Sequence, residues 1–490
     1  MEKYILSIDA GTSSSRALII DKKGSIKGIS QFEFPQIFPK EGWVEHNPNE
    51  IWETQLKAIK EVLKKTKTSP ERIHSLGITN QRETTVIWNK KTGEPVYNAI
   101  VWQDRRTAEI CDDLKKQNLE SIFQNKTGLL LDPYFSGTKI KWIFDNNPSL
   151  YILAKNNQLA FGTIDSWLIW KLTNGKQHVT DVTNASRTLI FNIKKLKWDQ
   201  ELIDLIGIPD NILPKVVSCS EHVGNTEKNI LGAEIPITGI AGDQQASLFG
   251  QMCLEEGDIK NTYGTGCFCM MNTGEKIVKS KNRLLSTIAY QINNKTFYAI
   301  EGSIFTAGSL VQWLRDQLGI ISNSSEIESL ASTVKDSGGV TFIPALSGLG
   351  APYWNPKATG SILGITRGTE KGHIARAALE GIAIRTYEII QNMQKDANTQ
   401  FTNLKVDGGA SNNNLLMQIQ CNLIDANVIR PVITETTALG VGYLAGLGSG
   451  YWKSIEDLKN IWKHDRKFLP EISNKENILS KWKETINVLY

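Results

Sequence analysis

An α/β chain of two similarly built domains is predicted by three observations. Apolar β-rich runs alternate with amphipathic helical ones, a strand–polar loop–strand unit opens the chain, and a second unit of that form stands midway along it. The opening unit is Tyr4–Asp21, where two β-rich runs flank a loop at Asp9–Ser15 holding one acid, one glycine and four hydroxyls. Such a loop aims backbone N–H groups and hydroxyls at phosphate oxygens. A turn at Lys22–Gly24 follows. Asn47-Pro48-Asn49-Glu50 then supplies an N-cap, a proline at the first helical position and an acid in the first turn, ahead of an amphipathic run through Lys65. Ser69-Pro70-Glu71 is another helix-start pattern. Ile73–Thr79 and Thr84–Trp88 read as strands around the polar loop Asn80-Gln81-Arg82-Glu83. Midway, the strand Ile235–Ile240 runs into Ala241–Gly250, and Gly257–Met271 again reads strand, Gly/Thr loop, strand. That echo places the domain boundary near residue 250, giving domains 1–250 and 251–490. A third Gly-rich turn, Val406–Asn414, leads into a helix from Leu415.

Composition narrows the functional classes. The chain has 490 residues, 40% hydrophobic and 22% charged, which is ordinary globular usage and argues against extensive disorder. Its 55 Lys+Arg against 51 Asp+Glu leave a net charge of +4, too small for this length to indicate a nucleic-acid partner or a polybasic membrane surface. No run reaches the roughly 18 apolar residues of a membrane span. The uncharged, glycine-rich Thr437–Trp452 reads as a buried small-residue helix and its exit loop. Asp9 interrupts the apolar run Tyr4–Ile8, unlike a signal peptide. The six cysteines form no Cys-x-x-Cys pair, and the histidines fall nowhere near zinc-finger spacing. Cys267 and Cys269 share one face of a strand, which fits buried thiols and a reducing, cytoplasmic setting.

Three Gly/Thr/Ser turns in one chain point to a nucleotide or phosphate ligand. The commonest signatures are absent: there is no Gly-x4-Gly-Lys-Ser/Thr, no Gly-x-Gly-x-x-Gly opening a helix after a strand, and no His-Arg-Asp or Asp-Phe-Gly. Read in order, however, seven blocks resemble the glycerol kinase branch of the sugar-kinase family, whose fold is actin-like. They are Asp9–Arg16, Gly77–Thr84, Asn98–Arg106, Asp132–Lys139, Gly239–Gln245, Asn261–Phe268 and Asp407–Ala410, and the similarity is weakest over the last forty residues.

The resemblance implies two actin-like (ribonuclease H-like) ATPase domains with the active site in the cleft between them. It further implies phosphorylation of glycerol by ATP to sn-glycerol 3-phosphate, the first step of glycerol catabolism, with Mg²⁺. Phosphoryl transfer needs charge neutralisation around the phosphates and an attacking oxygen held in line. By resemblance, Asp9 holds Mg²⁺ through water, and Thr12, Ser13, Ser14 and Arg16 contact the phosphate chain from the first domain. Thr265 grips it from the second, and Gly308, Gln312, Gly409 and Asn413 hold the nucleotide. Arg82, Glu83, Tyr134, Asp243 and Gln244 form the glycerol hydrogen-bonding set, Trp102 and Phe268 cover its carbons, and Asp243 is the general base. Relatives form dimers and tetramers, so a homo-oligomer is expected.

Taken one at a time, these residues have plainer readings. Arg82–Glu83 reads equally as an exposed ion pair, Asp243 as a helix N-cap, Asp407-Gly408-Gly409 as a turn, and the aromatics as core. Another polyol or ketose kinase, or a filament- or chaperone-type actin-like ATPase, shares the phosphate loops. The chain also departs from the family in two places. Ala10 and Ser13 stand where Gln and Thr are more usual. Glu234 and Asn229 replace the arginine that binds fructose 1,6-bisphosphate and the histidine that is phosphorylated in some bacterial relatives, so neither control is expected.

Overall fold

The computed structural model describes residues 2–355, 357–472 and 474–489. Its first sheet contains β1 (Tyr4–Ala10), β2 (Ser14–Ile20), β3 (Ile26–Glu33), β4 (Ile73–Asn80), β5 (Gly224–Asn225) and β6 (Pro236–Gly242), in the order β5-β6-β4-β1-β2-β3. β1, β2 and β3 form an antiparallel meander, and β4 and β6 add in parallel.

The second sheet contains β7 (Ile259–Tyr263), β8 (Cys267–Asn272), β9 (Leu285–Ile292), β10 (Lys295–Ile304), β11 (Asn403–Asp407), β12 (Asn427–Pro431) and β13 (His464–Phe468). Its order is β9-β10-β8-β7-β11-β12-β13. Here too an antiparallel pair, β7–β8, continues to β10, while β11 and β12 add in parallel on the other side of β7. Each sheet therefore carries the same five-strand plan, and the echo between the hairpins at Asp9–Ser15 and Gly264–Gly266 extends to a duplicated topology.

Helix α1 (Pro48–Lys65) starts where the capping signal places it, with the Asn47 carboxamide oxygen accepting from the Asn49 N–H. Its buried stripe of Ile51, Ala58, Ile59 and Val62 packs on the face of the first sheet that carries Leu6, Ile8, Ala17 and Ile19. Ser69-Pro70-Glu71 does not open an α-helix. It makes a single 3₁₀ turn, Pro70–Arg72, because β4 begins at once and the chain must extend. The strand expected from Thr84 begins at Val86.

Two helices cross between the sheets: α2 (Asp243–Gly250), leaving β6, and α6 (Thr436–Gly448), leaving β12. Between them in sequence lie α3 (Gly308–Asp316), α4 (Lys371–Ala397) and α5 (Asn414–Ile424). Helix α6 covers the other face of the first sheet, with Val441, Leu444 and Ala445 beside Ile5, Ile20 and Ala241. The α2–α6 crossing is close enough to require glycine on both sides. A Cβ on Gly440 would stand 1.8 Å from the Ala246 carbonyl oxygen, and one on Gly250 2.1 Å from that of Thr436. Helices α4 and α5 cover the second sheet on the side that holds Cys267 and Cys269. All six cysteines are free and buried. No helix among the described residues is long and apolar enough to cross a membrane.

One buried carboxyl in the first half is tuned by its packing. Asp165 accepts from the Thr163 hydroxyl (2.5 Å) and the Thr180 hydroxyl (2.7 Å). Burial, with Asp181 nearby, raises it from an ordinary 3.8 to about 7. Folding therefore retains a proton that the unfolded chain releases, and this group's contribution to stability falls as pH climbs through that interval. The Tm difference, Asp165→Asn minus wild type, is expected to grow in the variant's favour between about pH 5 and pH 8. A pH-independent difference would refute this.

Candidate active site

The two hairpin loops open onto one cavity of about 120 Å³, lined by Thr12 from the first and by Thr265 and Gly266 from the second. In the first loop the Gly11 N–H donates to the Ser14 carbonyl (3.0 Å), turning the chain tightly. Ser13 is exposed at the tip. Ser14 is buried, and its hydroxyl accepts from Gln31 Nε2 (2.9 Å), so its side chain is engaged within the sheet. Arg16 pairs with Glu435 (2.8 Å) and lies 3.7 Å from Asp9. Burial raises Asp9 from 3.8 to about 6 against the pull of Arg16, with Glu435 and Asp243 adding to the rise.

Arg82 and Glu83 leave the end of β4 and are 2% and 1% exposed, which rules out an exposed ion pair. Glu83 sits at φ +61°, in the left-handed region that non-glycine residues seldom occupy. Its Oε1 accepts from Arg187 Nε (2.6 Å). Arg82 Nη1 and Nη2 donate to the two oxygens of Glu301 (2.5 and 3.0 Å), and its Nε lies 3.1 Å from Asp243 Oδ1. Arg82 also donates to Gln245 Oε1 (3.2 Å) and the Tyr134 hydroxyl (3.4 Å). Trp102 stands edge-on to Tyr134 and Phe268, with centroids 5.7 and 5.9 Å apart, and its Nε1–H donates to Thr12 Oγ1 (2.9 Å). Charged and polar groups thus share the cavity lining with aromatic rings.

Asp243 is the first residue of α2, with Gly242 in the capping position, and its Oδ1 accepts from the next N–H, that of Gln244 (2.7 Å). Its side chain keeps 27% of its surface open. Burial raises the Asp243 carboxyl above the ordinary range, and Arg82 and Lys260 oppose the rise. The Gln244 side chain is turned to Lys260, whose ammonium donates to Gln244 Oε1 (2.6 Å) and Thr262 Oγ1 (2.7 Å). Lys260 is fully buried, and burial lowers its pKa.

A second cavity, of about 500 Å³, continues from Thr265 into the other half and is lined by Gly308, Gln312, Gly409 and Asn413. Its apolar wall is Val311, Ile327, Leu379, Ile382 and Leu416. The Gly264 carbonyl accepts from the Gly308 N–H (2.9 Å), and the Thr265 carbonyl from the N–H groups of Ala307 and Ser309, so the loop is tied to the start of α3. At the end of β11, Gly408 has φ +83°, and a Cβ there would lie 2.6 Å from the Tyr263 carbonyl oxygen. Asp407 is buried and accepts from Ser247 Oγ (2.9 Å) and Gln251 Nε2 (2.8 Å), fastening this turn to α2.

The structure therefore brings Arg82, Glu83, Trp102, Tyr134, Asp243, Phe268, Thr12 and Thr265 to one cavity, and Thr265, Gly308, Gln312, Gly409 and Asn413 to the next. Ser14 and Gln244 face neighbouring side chains instead. Sequence reasoning missed Arg187, Gln245 and Glu301, which hold Arg82 and Glu83 in place, and Lys260, which holds Gln244. A charged residue inside a strand, as with Lys260 in β7 and Glu301 in β10, was the signal available for two of them. Asn229 and Glu234 are exposed at the short helix Lys228–Leu231 and its exit, outside both cavities.

A duplicated sheet with paired hairpin loops and a small cavity between them is the plan of an actin-like sugar kinase. The chain belongs to the FGGY family of carbohydrate kinases, matching its N-terminal domain over residues 4–250 and its C-terminal domain over 259–449. It is 55% identical to glycerol kinase 2 of Thermotoga maritima and 55% identical to glycerol kinase of Petrotoga mobilis, in each case over 99% of this chain and 98% of the relative. The crystal structure of Plasmodium falciparum glycerol kinase with ADP superposes with a TM-score of 0.91 at 37% identity, covering 100% of this chain and 98% of that one. Gluconate kinase from Lactobacillus acidophilus shares the fold at 24% identity and a TM-score of 0.89, over 100% of this chain and 98% of that one.

Proposed function

We propose that this protein transfers the γ-phosphoryl group of ATP to glycerol, giving ADP and sn-glycerol 3-phosphate. The observation that carries this reading is the small cavity between the loops. Its lining combines Arg82, Glu83 and Asp243 with Trp102 and Phe268, polar partners and aromatic cover for a three-carbon triol. The names of the relatives more than 50% identical along nearly the whole chain support the same substrate.

In this mechanism glycerol lies with its hydroxyls toward Arg82, Glu83 and Tyr134 and its carbons against the aromatic edges. The terminal hydroxyl attacks phosphorus as its proton passes to Asp243, and the bond to the bridging β–γ oxygen breaks, releasing ADP. Burial above the ordinary carboxylate range suits Asp243 to accept that proton. Thr12 and Ser13 donate to phosphate oxygens from one side and Thr265 from the other. The apolar wall of the larger cavity receives the adenine, and the two halves exclude water, which competes as acceptor.

Asp9, with Glu435 and Asp243 nearby and Arg16 opposing them, would hold Mg²⁺, a hard cation that keeps most of its waters and takes one or two carboxylates plus phosphate oxygens. When bound, Mg²⁺ neutralises charge on the phosphates. Six free, buried cysteines fit a reducing, cytoplasmic compartment.

The test is ADP release from Mg-ATP with glycerol, dihydroxyacetone, xylulose or no acceptor. Strong stimulation by glycerol is expected. Preference for xylulose would overturn the substrate assignment, and turnover indifferent to every acceptor would overturn the kinase reading.

A further inference from the structure

We infer that Glu301, carried by the nucleotide half of the molecule, is a positioning residue for the polyol site, acting through Arg82 and Arg187. This rests on the glycerol reading above. The argument is a count of donors and acceptors. A guanidinium has five N–H groups. In Arg82 the four on Nη1 and Nη2 are taken: two by Glu301, one by Gln245 Oε1 and one by the Tyr134 hydroxyl. Its Nε–H lies beside Asp243 and Glu83, at 3.1 and 4.0 Å, and makes no hydrogen bond among the described residues. Glu83 is used in the complementary way. Oε1 receives Arg187 Nε, and Oε2 accepts no hydrogen bond among the described residues. What remains at the cavity is one donor on Arg82 and one acceptor on Glu83, the pair that a single alcohol hydroxyl satisfies, since it both accepts and donates.

Glu301 enforces this arrangement. Its Oε1 takes Arg187 Nη2 (2.9 Å) as well as Arg82 Nη2, and Ser303 Oγ donates to the same oxygen (3.2 Å). It stands between two guanidiniums whose side chains are no more than 1% exposed, and its own side chain is fully buried. Burial would raise its pKa, but Arg187 and Arg82 together bring it down to about 2, so it is ionised. Without it, two buried cations face each other, and two Nη donors of Arg82 and one of Arg187 lose their acceptor. Arg82 is then free to turn those groups onto Asp243 or Glu83 and consume the substrate's partners. Glu301 belongs to β10 of the second sheet, whereas Arg82, Glu83 and Arg187 come from the first half, so the hydroxyl grip depends on how the halves are set against each other.

Steady-state kinetics on Glu301→Gln and Glu301→Asp test this. Glu301→Gln is expected to raise KM for glycerol at least about 30-fold and KM for ATP less than about threefold, with kcat affected less than KM. Discrimination between glycerol and propane-1,2-diol in kcat/KM should narrow, because an unpaired partner no longer penalises a missing hydroxyl. Glu301→Asp keeps the charge and should recover much of the loss. Should Glu301→Gln fail to fold, Arg187→Lys tests the same assembly by removing the Nη2 bond to Glu301 while keeping the charge beside Glu83. An unchanged glycerol KM, or equal losses for glycerol and ATP with discrimination intact, would overturn the inference. Wild-type protein that glycerol does not stimulate would instead overturn the functional reading, so the two failures are distinct.

Discussion

Asp243→Asn is expected to lower kcat with glycerol at least about 100-fold, within the 10²–10⁴ that general-base assistance typically contributes, and to bind ATP as the wild type does. The substitution keeps the size of the side chain and an acceptor for the Gln244 N–H, so the start of α2 is preserved. It removes the group that takes the proton and one negative charge beside Arg82 Nε. Nucleotide binding should survive because the larger cavity is built from Gly308, Gln312, Gly409 and Asn413, none of which touches the Asp243 carboxyl. The pH profile sharpens the test. Burial raises the wild-type carboxyl, so kcat/KM should fall on the acid side at a pH above the ordinary carboxylate range, as the base becomes protonated. That limb should vanish in the residual activity of the variant. Full kcat in Asp243→Asn would remove this residue from the chemistry.

Gly440→Ala is expected to lower Tm by at least about 5 °C and to reduce activity with it, a large effect for one methyl group. The added carbon would meet only main chain: the Ala246 carbonyl oxygen at 1.8 Å, its carbon at 2.7 Å and the Gly250 nitrogen at 2.8 Å. No rotamer change relieves such a contact, so α2 and α6 must move apart. Helix α6 backs β1, β4 and β6, and α2 begins at Asp243, so the displacement reaches both the first sheet and the proposed base. Gly368→Ala is the control. It is exposed, and a Cβ there meets only Thr366 Oγ1, at 4.0 Å. Thermal unfolding and kinetics of the two variants decide the matter, and equal Tm values would refute the argument.

What the sequence revealed and what it hid divide along the range of the interactions. The Asn47-Pro48 cap, the Gly-Thr-Gly loop and the Asp407-Gly408 turn are set by residues within a few positions of each other, and they appear where the sequence places them. Ser69-Pro70-Glu71 carries the same local signal and yields one 3₁₀ turn, because pairing of β4 with β1 claims the following residues. The supports of the site were hidden for the converse reason. Arg82 and Glu301 are 219 positions apart, and Arg187 and Glu83 are 104 apart, so no spacing rule links them. Gln244 and Gln245 are indistinguishable as letters. Their places on α2 send one to Lys260 and the other to Arg82. Ser14 follows the same logic: alternation along β2 buries its hydroxyl, which accepts from Gln31, a contact no local spacing announces.

The crossing helices also set a schedule for synthesis. All strands of the first sheet have left the ribosome once Gly242 emerges, yet one face, with Ile5, Ile20 and Ala241, waits for Thr436–Gly448 to cover it. Through most of the translation of the second half, the nascent protein carries that apolar sheet face without the helix that packs along it. Completion of the first half is thus a late event, coupled to the second, and the hydrophobic interval between them is one that chaperones can occupy.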